Sequence, residues 1–267
     1  MGAFGPEIDS IRVTVTGSGT STGVPVVGCG CAICRSPEPR NHRMRSGLWL
    51  QVRAGDSRST VLIDTSPDLR RQCLTFGIER VDAVFYTHAH ADHILGLDDL
   101  RPFNFLQGVD IPCYASPRTL GSLRSTFPYV FDGLPAEGGG KPRLQPIPID
   151  GPFSVFGLNV VPIPVLHGSL EVMAYRIGDF AYVTDTHHIP APSLAKLDGV
   201  RTLILGALRY RPHPTHFSLP EALQVIADLG VERAFLTHLN HEVDYVAPEV
   251  DLPPGVELAY DGLSFDL

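Results

Sequence analysis

Apolar and polar residues alternate along 11–16, with Ile11, Val13 and Val15 set against Arg12, Thr14 and Thr16. That period of two predicts a strand with one buried face. Residues 48–52 and 60–63 read as a hairpin of strands, and the unbroken β-branched and aromatic run at 81–86 as a buried strand. Further strands are predicted at Ile111–Ala115, 159–165, 202–205 and Arg233–Thr237, and 172–177 pairs with 180–184 around Gly178-Asp179. Helical stretches lie between them. One covers 66–76, with Pro67 near its start and Gly77 as its stop; others cover 96–102, Pro117–Thr126 and Leu219–Leu229, where Pro220 and Glu221 occupy the first turn. The span 134–148 is rich in Gly and Pro and predicts an exposed loop. There is no internal repeat and no shift of composition that would mark a boundary, so 1–267 reads as a single domain, long enough to bury a sizeable core.

The chemistry sits where the strands stop. Immediately after the run 81–86 comes His88-Ala89-His90-Ala91-Asp92-His93, four metal-capable side chains in six residues. Imidazole suits zinc, iron and manganese, and a carboxylate adds hard oxygen and negative charge. His88 and His90 alternate and can converge on one ion from an extended turn. Asp92 and His93 lie where the chain begins to coil and can face a second ion, so the cluster reads as half of a two-metal site. The pattern recurs: His167 follows the run 159–165, Asp185 closes 180–184, and His238 follows Arg233–Thr237. Asp64 ends the strand at 60–63, a position from which a carboxylate orients a ligand histidine. His187 and His188 are left out of the site, because Asp185 already ends their strand.

Two further stretches near the N-terminus carry signals. The first strand runs into Gly17-Ser18-Gly19-Thr20-Ser21-Thr22-Gly23-Val24-Pro25, a tight turn without the Gly-Lys-Ser/Thr ending of a Walker loop. It lets the backbone pass close to something, either the metal site or a substrate phosphate. Cys29-Gly30-Cys31-Ala32-Ile33-Cys34 then offers three thiolates for one tetrahedral ion, zinc by preference, with a fourth ligand still needed. Arg40, Arg43 and Arg45 follow in a proline- and arginine-rich segment and read either as a solvated loop or as contacts to an anionic substrate.

Composition narrows the class. Apolar residues make up 43% and charged residues 19%, the values of a globular protein. The formal net charge of −8 argues against a broad nucleic-acid surface. No apolar run reaches membrane-spanning length, and the first ten residues, with Glu7 and Asp9, do not read as a signal peptide. A cytoplasmic location follows, and clustered cysteines in a reducing compartment point to metal rather than disulfides.

With those residues in view, the chain resembles the metallo-β-lactamase superfamily along nearly its whole length, at Asp64, His88-x-His90-x-Asp92-His93, His167, Asp185 and His238. Within it, the chain resembles the phosphoribosyl 1,2-cyclic phosphodiesterase (PhnP) family of bacterial phosphonate breakdown. The shared features are the turn from Gly17 to Pro25, the cluster Cys29, Cys31 and Cys34, and a histidine three residues after the last active-site histidine, here His241. The resemblance implies an α/β fold, a four-layer αββα sandwich whose N-terminal loop 28–46 carries a structural zinc on Cys29, Cys31, Cys34 and His241. It implies two divalent ions, Zn or Mn. His88, His90 and His167 hold one, Asp92, His93 and His238 the other, and Asp185 bridges them. The catalytic residues it implies are Asp92 and His216, the latter as general acid.

The activity so implied is hydrolysis of a small phosphodiester, expected to be a cyclic ribose phosphate, by hydroxide generated at the ions. The charge count agrees: about four positive charges less Asp92, Asp185 and a hydroxide leave about plus one, opposite in sign to a phosphodiester. No membrane and no nucleic-acid partner are expected, and a homodimer is left open. Three other readings stand beside this one. A tRNA 3′-processing nuclease shares the metal motifs but lacks the cysteine cluster and carries a long basic arm. Against a thioester or lactone hydrolase stand the His216 loop and the cysteine cluster. A non-hydrolytic metalloprotein, a redox enzyme or a cofactor-biosynthesis relative with a depleted metal motif, is set against the complete ligand set here.

Overall fold

In the computed structural model, which describes residues 8–134 and 140–267, the chain builds two seven-stranded sheets that pack face to face. The first sheet holds β1 (Ser10–Gly17), β2 (Gly47–Ala54), β3 (Ser57–Ile63), β4 (Ala83–Phe85), β5 (Ile111–Ala115) and β6 (Leu144–Pro148) in that order. The second runs from β7 (Phe153–Val155) through β8 (Leu158–His167), β9 (Leu170–Ile177), β10 (Phe180–Val183), β11 (Thr202–Gly206) and β12 (Arg233–Thr237) to β13 (Val256–Leu258). The last strand, β14 (Ser264–Asp266), crosses back to pair with β1. Each sheet begins antiparallel and turns parallel halfway, at β3–β4 in the first and at β10–β11 in the second. Crevices beyond the carboxyl ends of such strands are where α/β sheets bind ligands.

Three apolar layers hold the four structural layers together. Between the sheets, Val13, Val15, Leu50, Val61 and Phe85 meet Val160, Tyr175, Phe180, Tyr182 and Phe235, all at most 1% exposed. This is the buried face that the alternation at 11–16 predicts. On the outer face of the first sheet pack α1 (Leu69–Phe76), α2 (Ala91–Ile94), α3 (Arg101–Gln107), α4 (Pro117–Thr126) and α5 (Pro128–Phe131), through Leu69, Ile94, Phe103, Leu120 and Leu123 among others. On the outer face of the second pack α6 (Ala191–Leu197) and α7 (Leu219–Leu229), through Leu197, Leu219, Ala222 and Ile226. The predicted four-layer αββα architecture in one domain is thus the one observed.

Several elements differ from the sequence reading, each for a local reason. Pro102 begins a helix rather than ending one: Leu97–Leu100 forms a 3-10 turn and Pro102 stands in the first turn of α3, where its missing N–H costs nothing. The helix read from 66 starts at Leu69. The loop expected over 134–148 contains β6, whose Ile147 pairs with Tyr114 although Pro146 and Pro148 weaken the strand signal; β6 is an edge strand, where prolines are tolerated. Residues 135–139 of that span, and residues 1–7 at the N-terminus, lie outside the described residues. No described helix is long and apolar enough to cross a membrane.

Candidate metal centre

Every ligand predicted for the two-metal site, and Asp64 beside them, is delivered by the end of a strand on one rim of the two sheets. β3 ends at Asp64, β4 at the loop carrying His88 to His93, β8 at His167, β10 at Asp185 and β12 at His238. Asp64 (φ 65°), Asp185 (φ 47°) and His238 (φ 61°) are three of the four non-glycine residues with positive φ among the described residues. Left-handed backbone in a residue with a side chain is uncommon and persists only where its surroundings enforce it, characteristically at functional sites.

The side chains form a closed ring of six imidazoles. Centroids lie 4.5 Å apart for His88 and His90, 5.1 Å for His90 and His167, 4.4 Å for His167 and His216, and 4.9 Å for His216 and His238. His238 and His93 at 6.0 Å, and His93 and His88 at 4.2 Å, complete the circle. Asp185 serves three groups of donors whose ligand atoms lie within 4.8 Å of one another: Asp92, His93 and His238; His88 and His90; and His167 and His216. His167 stands between two of these groups, its ring 5.1 Å from His90 and 4.4 Å from His216.

Hydrogen bonds select the nitrogen each ring offers. His93 Nδ1 donates to Asp64 Oδ2 at 2.7 Å, leaving Nε2 free at 3.3 Å from Asp92 Oδ2 and 3.4 Å from Asp185 Oδ1. Thr87 donates its hydroxyl to the same Asp64 oxygen (2.8 Å), so it can only accept from His88 Nδ1 (3.0 Å), and His88 Nε2 is left free. His167 Nδ1 donates to the Thr215 carbonyl at 2.7 Å. Such outer partners orient metal-ligating histidines. Of seven buried side-chain atoms without a hydrogen-bond partner among the described residues, three, His88 Nε2, His93 Nε2 and Asp92 Oδ2, lie at this site. Orphaned buried polar atoms are rare, and here they converge on the points a cation would fill.

The electrostatics agree. Burial would discharge His93, yet Asp185, Asp64 and Asp92 hold its imidazole well above the ordinary value. Burial likewise opposes ionisation of Asp92 and Asp185, but His93 holds Asp92 below the usual carboxylate range, and His238 with His93 does so for Asp185. Three carboxylates gathered around neutral-capable imidazoles form a nest for positive charge, and divalent ions fit it. His216 differs: burial and the neighbouring His238 push it down to about 3. Its loop is tied to the Asp185 turn by the bond from Phe217 N to Thr186 O (2.7 Å).

The second cluster lies beside this one. Nδ1 of His241 is 3.3, 3.5 and 3.6 Å from the sulfurs of Cys29, Cys31 and Cys34. A tetrahedral zinc with Zn–S of about 2.3 Å and Zn–N of about 2.0 Å has S···N edges of about 3.5 Å, so the four donors fit zinc. The Cys34 N–H, bonded to Cys31 Sγ, is the largest cause that lowers the Cys31 thiol to about 6.

The structure also settles what the flanking residues do. The glycine-rich turn runs along the metal site: Thr20 N bonds Leu239 O (3.2 Å), and Thr20 Oγ1 lies 3.2 Å from His238 Nε2. A side chain at Gly19 would run into Arg43 and Met44. Ser46, with no sequence signal of its own, lies 3.0 Å from His238 Nδ1. Arg43 is neither solvated nor turned to substrate. It is 2% exposed and donates to the carbonyls of Asn240 and Val243, clamping the cysteine loop to the His241 loop. Arg40 pairs with Glu38 and lies over the Tyr245 ring, and Arg45 pairs with Asp68. His187, left out of the site, donates its backbone N–H to the Leu166 carbonyl (3.0 Å) and accepts from the Gly168 N–H at Nδ1 (3.2 Å), so it braces the strand end that carries His167.

Comparison with known proteins fits this arrangement. The family model for a beta-lactamase superfamily domain matches residues 59–239. A crystal structure described as a new diphosphatase from the PhnP family superposes with a TM-score of 0.89 at 38% identity, covering 98% of both chains. A Porphyromonas gingivalis protein named octanoyltransferase is 39% identical over 95% of this chain; the chain spans about half of that relative, 51% of its length. Zn(2+)-bound PqqB from Methylobacterium extorquens shares the fold, with a TM-score of 0.75 at 20% identity over 96% of this chain and all of that one.

Proposed function

The chain belongs to the metallo-β-lactamase superfamily and, within it, to the PhnP family, and on that premise we propose that it is a metal-dependent hydrolase of a small phosphodiester. The observation that carries the reading is the place of Asp185, within ligand distance of all three donor groups, with His216 facing the same point. His88, His90 and His167 would hold one ion and Asp92, His93 and His238 the other, with Asp185 between them. A pair of divalent ions supplies hydroxide at neutral pH and positive charge for the oxygens of an in-line displacement.

The protein's own groups do the rest. Asp64 and Thr87 keep His93 and His88 in the tautomers that present Nε2. Burial and the neighbouring His238 favour the neutral form of His216, so to act as general acid it must take up a proton from solvent as the anionic substrate binds. Zinc or manganese both suit this mixed N/O donor set. The thiolate site beside it suits a reducing compartment. The physiological diester we favour is a cyclic ribose phosphate of the kind met in phosphonate breakdown.

An acyl-transfer reading rests on the name of the Porphyromonas relative, of which this chain spans half. The site lends it little. Cys29, Cys31 and Cys34 belong to the His241 cluster, Cys73 and Cys113 lie in the core, and the lysines bond Asp132 and Pro162 O, so no cysteine or lysine joins the imidazole ring. The test is turnover of bis(p-nitrophenyl) phosphate and of 5-phosphoribosyl 1,2-cyclic phosphate by metal-loaded protein. Faster turnover of the cyclic ester supports the proposal. Hydrolysis of octanoyl thioesters with neither diester touched refutes it.

A further inference from the structure

Residues alternate along β2: Leu48, Leu50 and Val52 enter the core between the sheets, and Trp49, Gln51 and Arg53 face outward. Where that outward face meets the chain leaving α1, a groove of about 630 Å³ opens, within the usual range of small-molecule sites, about 300–1,000 Å³. Its lining sets four arginines, Arg12, Arg53, Arg58 and Arg80, against two carboxylates, Glu79 and Asp266, in a chain whose acidic residues outnumber its basic ones 29 to 21. Arg12 pairs with Asp266 and Arg80 with Asp82. Arg53 and Arg58 stand directly opposite each other in the β2–β3 register, both exposed, and neither has a carboxylate within ion-pair distance among the described residues. Residues so opposed share a face, with Cβ atoms about 5 Å apart, and like charges there repel. The metal centre does not account for the pair. Arg58 lies six residues before Asp64 along β3 and the turn that ends it, about 20 Å of extended chain.

We propose that this groove is a second binding site, separate from the metal centre, for a phosphorylated small molecule of nucleotide size, whose terminal phosphate is held between Arg53 and Arg58. A carboxylate matches one guanidinium fork with its two oxygens. A terminal phosphate, with three acceptor oxygens and a charge of about −2, engages both forks and cancels their repulsion. The rest of the groove takes the body of the ligand beside Trp49, which is half-buried and whose indole N–H finds no acceptor in the protein.

Trp49 is the chain's single tryptophan, so its fluorescence reports on this groove. The probe is ATP added to metal-loaded protein, with adenosine as the control. A saturable change of fluorescence with ATP and none with adenosine is expected. Arg53→Gln and Arg58→Gln should each weaken ATP binding at least tenfold, and Arg58→Lys, which keeps the charge but not the fork, by less. Neither residue belongs to the metal centre, so both Gln variants should keep the diester turnover of the wild type. Thermal melting separates a binding role from a structural one. Without ATP, Arg58→Gln should melt at the wild-type temperature or above it, because it relieves a like-charge contact. ATP should raise the melting temperature of the wild type more than that of the variant. No saturable response to ATP, equal ATP affinity in the wild type and Arg58→Gln, or tighter binding of a hexaglutamate peptide than of ATP overturns the proposal.

Discussion

Nδ1 of His93 lies 2.7 Å from Oδ2 of Asp64, and both side chains are fully buried. The Asp64 carboxylate also accepts from the Thr87 N–H and hydroxyl, each at 2.8 Å, so one residue at the end of β3 sets the orientation of two histidines on the next loop. Asp64→Asn should weaken metal binding at the His93 end by about 10- to 100-fold, the usual effect of losing such a partner. Titration against a chelator of known affinity, with circular dichroism to check the fold, reads this directly. Unchanged affinity would remove Asp64 from the account.

His216 stacks at 4.9 Å and 18° on His238 and faces the point where the donor groups meet. If it hands a proton to the leaving oxygen, His216→Ala should lower kcat on an alkyl diester by about 10²- to 10⁴-fold. The loss should be far smaller on bis(p-nitrophenyl) phosphate, whose leaving group needs no proton. Equal losses on both would make His216 a positioning residue.

Arg43 ties the cysteine loop to the carbonyls of Asn240 and Val243. Arg43→Met keeps the length of the chain but leaves those buried carbonyls unsatisfied, at about 1–3 kcal/mol for each group. A lowered urea midpoint with retained diester turnover is expected. An unshifted midpoint would show that the clamp contributes nothing.

Cys31→Ser should likewise lower the melting temperature more than it changes the chemistry, because the four donors join the N-terminal loop to the end of β12. Acid should do the same reversibly. The Cys31 thiol is lowered from its ordinary value to about 6 in the folded protein. A depressed folded value means stability present at high pH and lost as pH falls through it. Protons compete with zinc for the thiolates, so the zinc affinity of the cysteine site should fall as pH is lowered, measurable with a chromophoric chelator. Zinc affinity independent of pH would contradict the assignment.

The strand ends were the legible part of this molecule. A period-two pattern placed β1, and runs of strand-forming residues placed β2, β3, β5 and β12. The metal-capable residues were visible because each follows such a run. What the pattern could not show was set by tertiary contact. Arg43 carries the same charge as its exposed neighbour Arg40, and only the fold reveals that it is buried among carbonyls. Ser46, Thr20 and Thr87 are ordinary polar residues until the sheets bring them against histidines. His187 adjoins the Asp185 turn in sequence, yet its bonds run to the end of β8.

Under the proposed function, two ions held around Asp185 carry out phosphodiester hydrolysis. The most direct measurement is diester turnover as metal is titrated into metal-free protein whose cysteine site has been filled with zinc. The account predicts turnover that rises with added metal, reaches a plateau at two ions per chain beyond the cysteine site, and is abolished by Asp185→Asn. A folded protein that binds both ions and turns over no diester would contradict it.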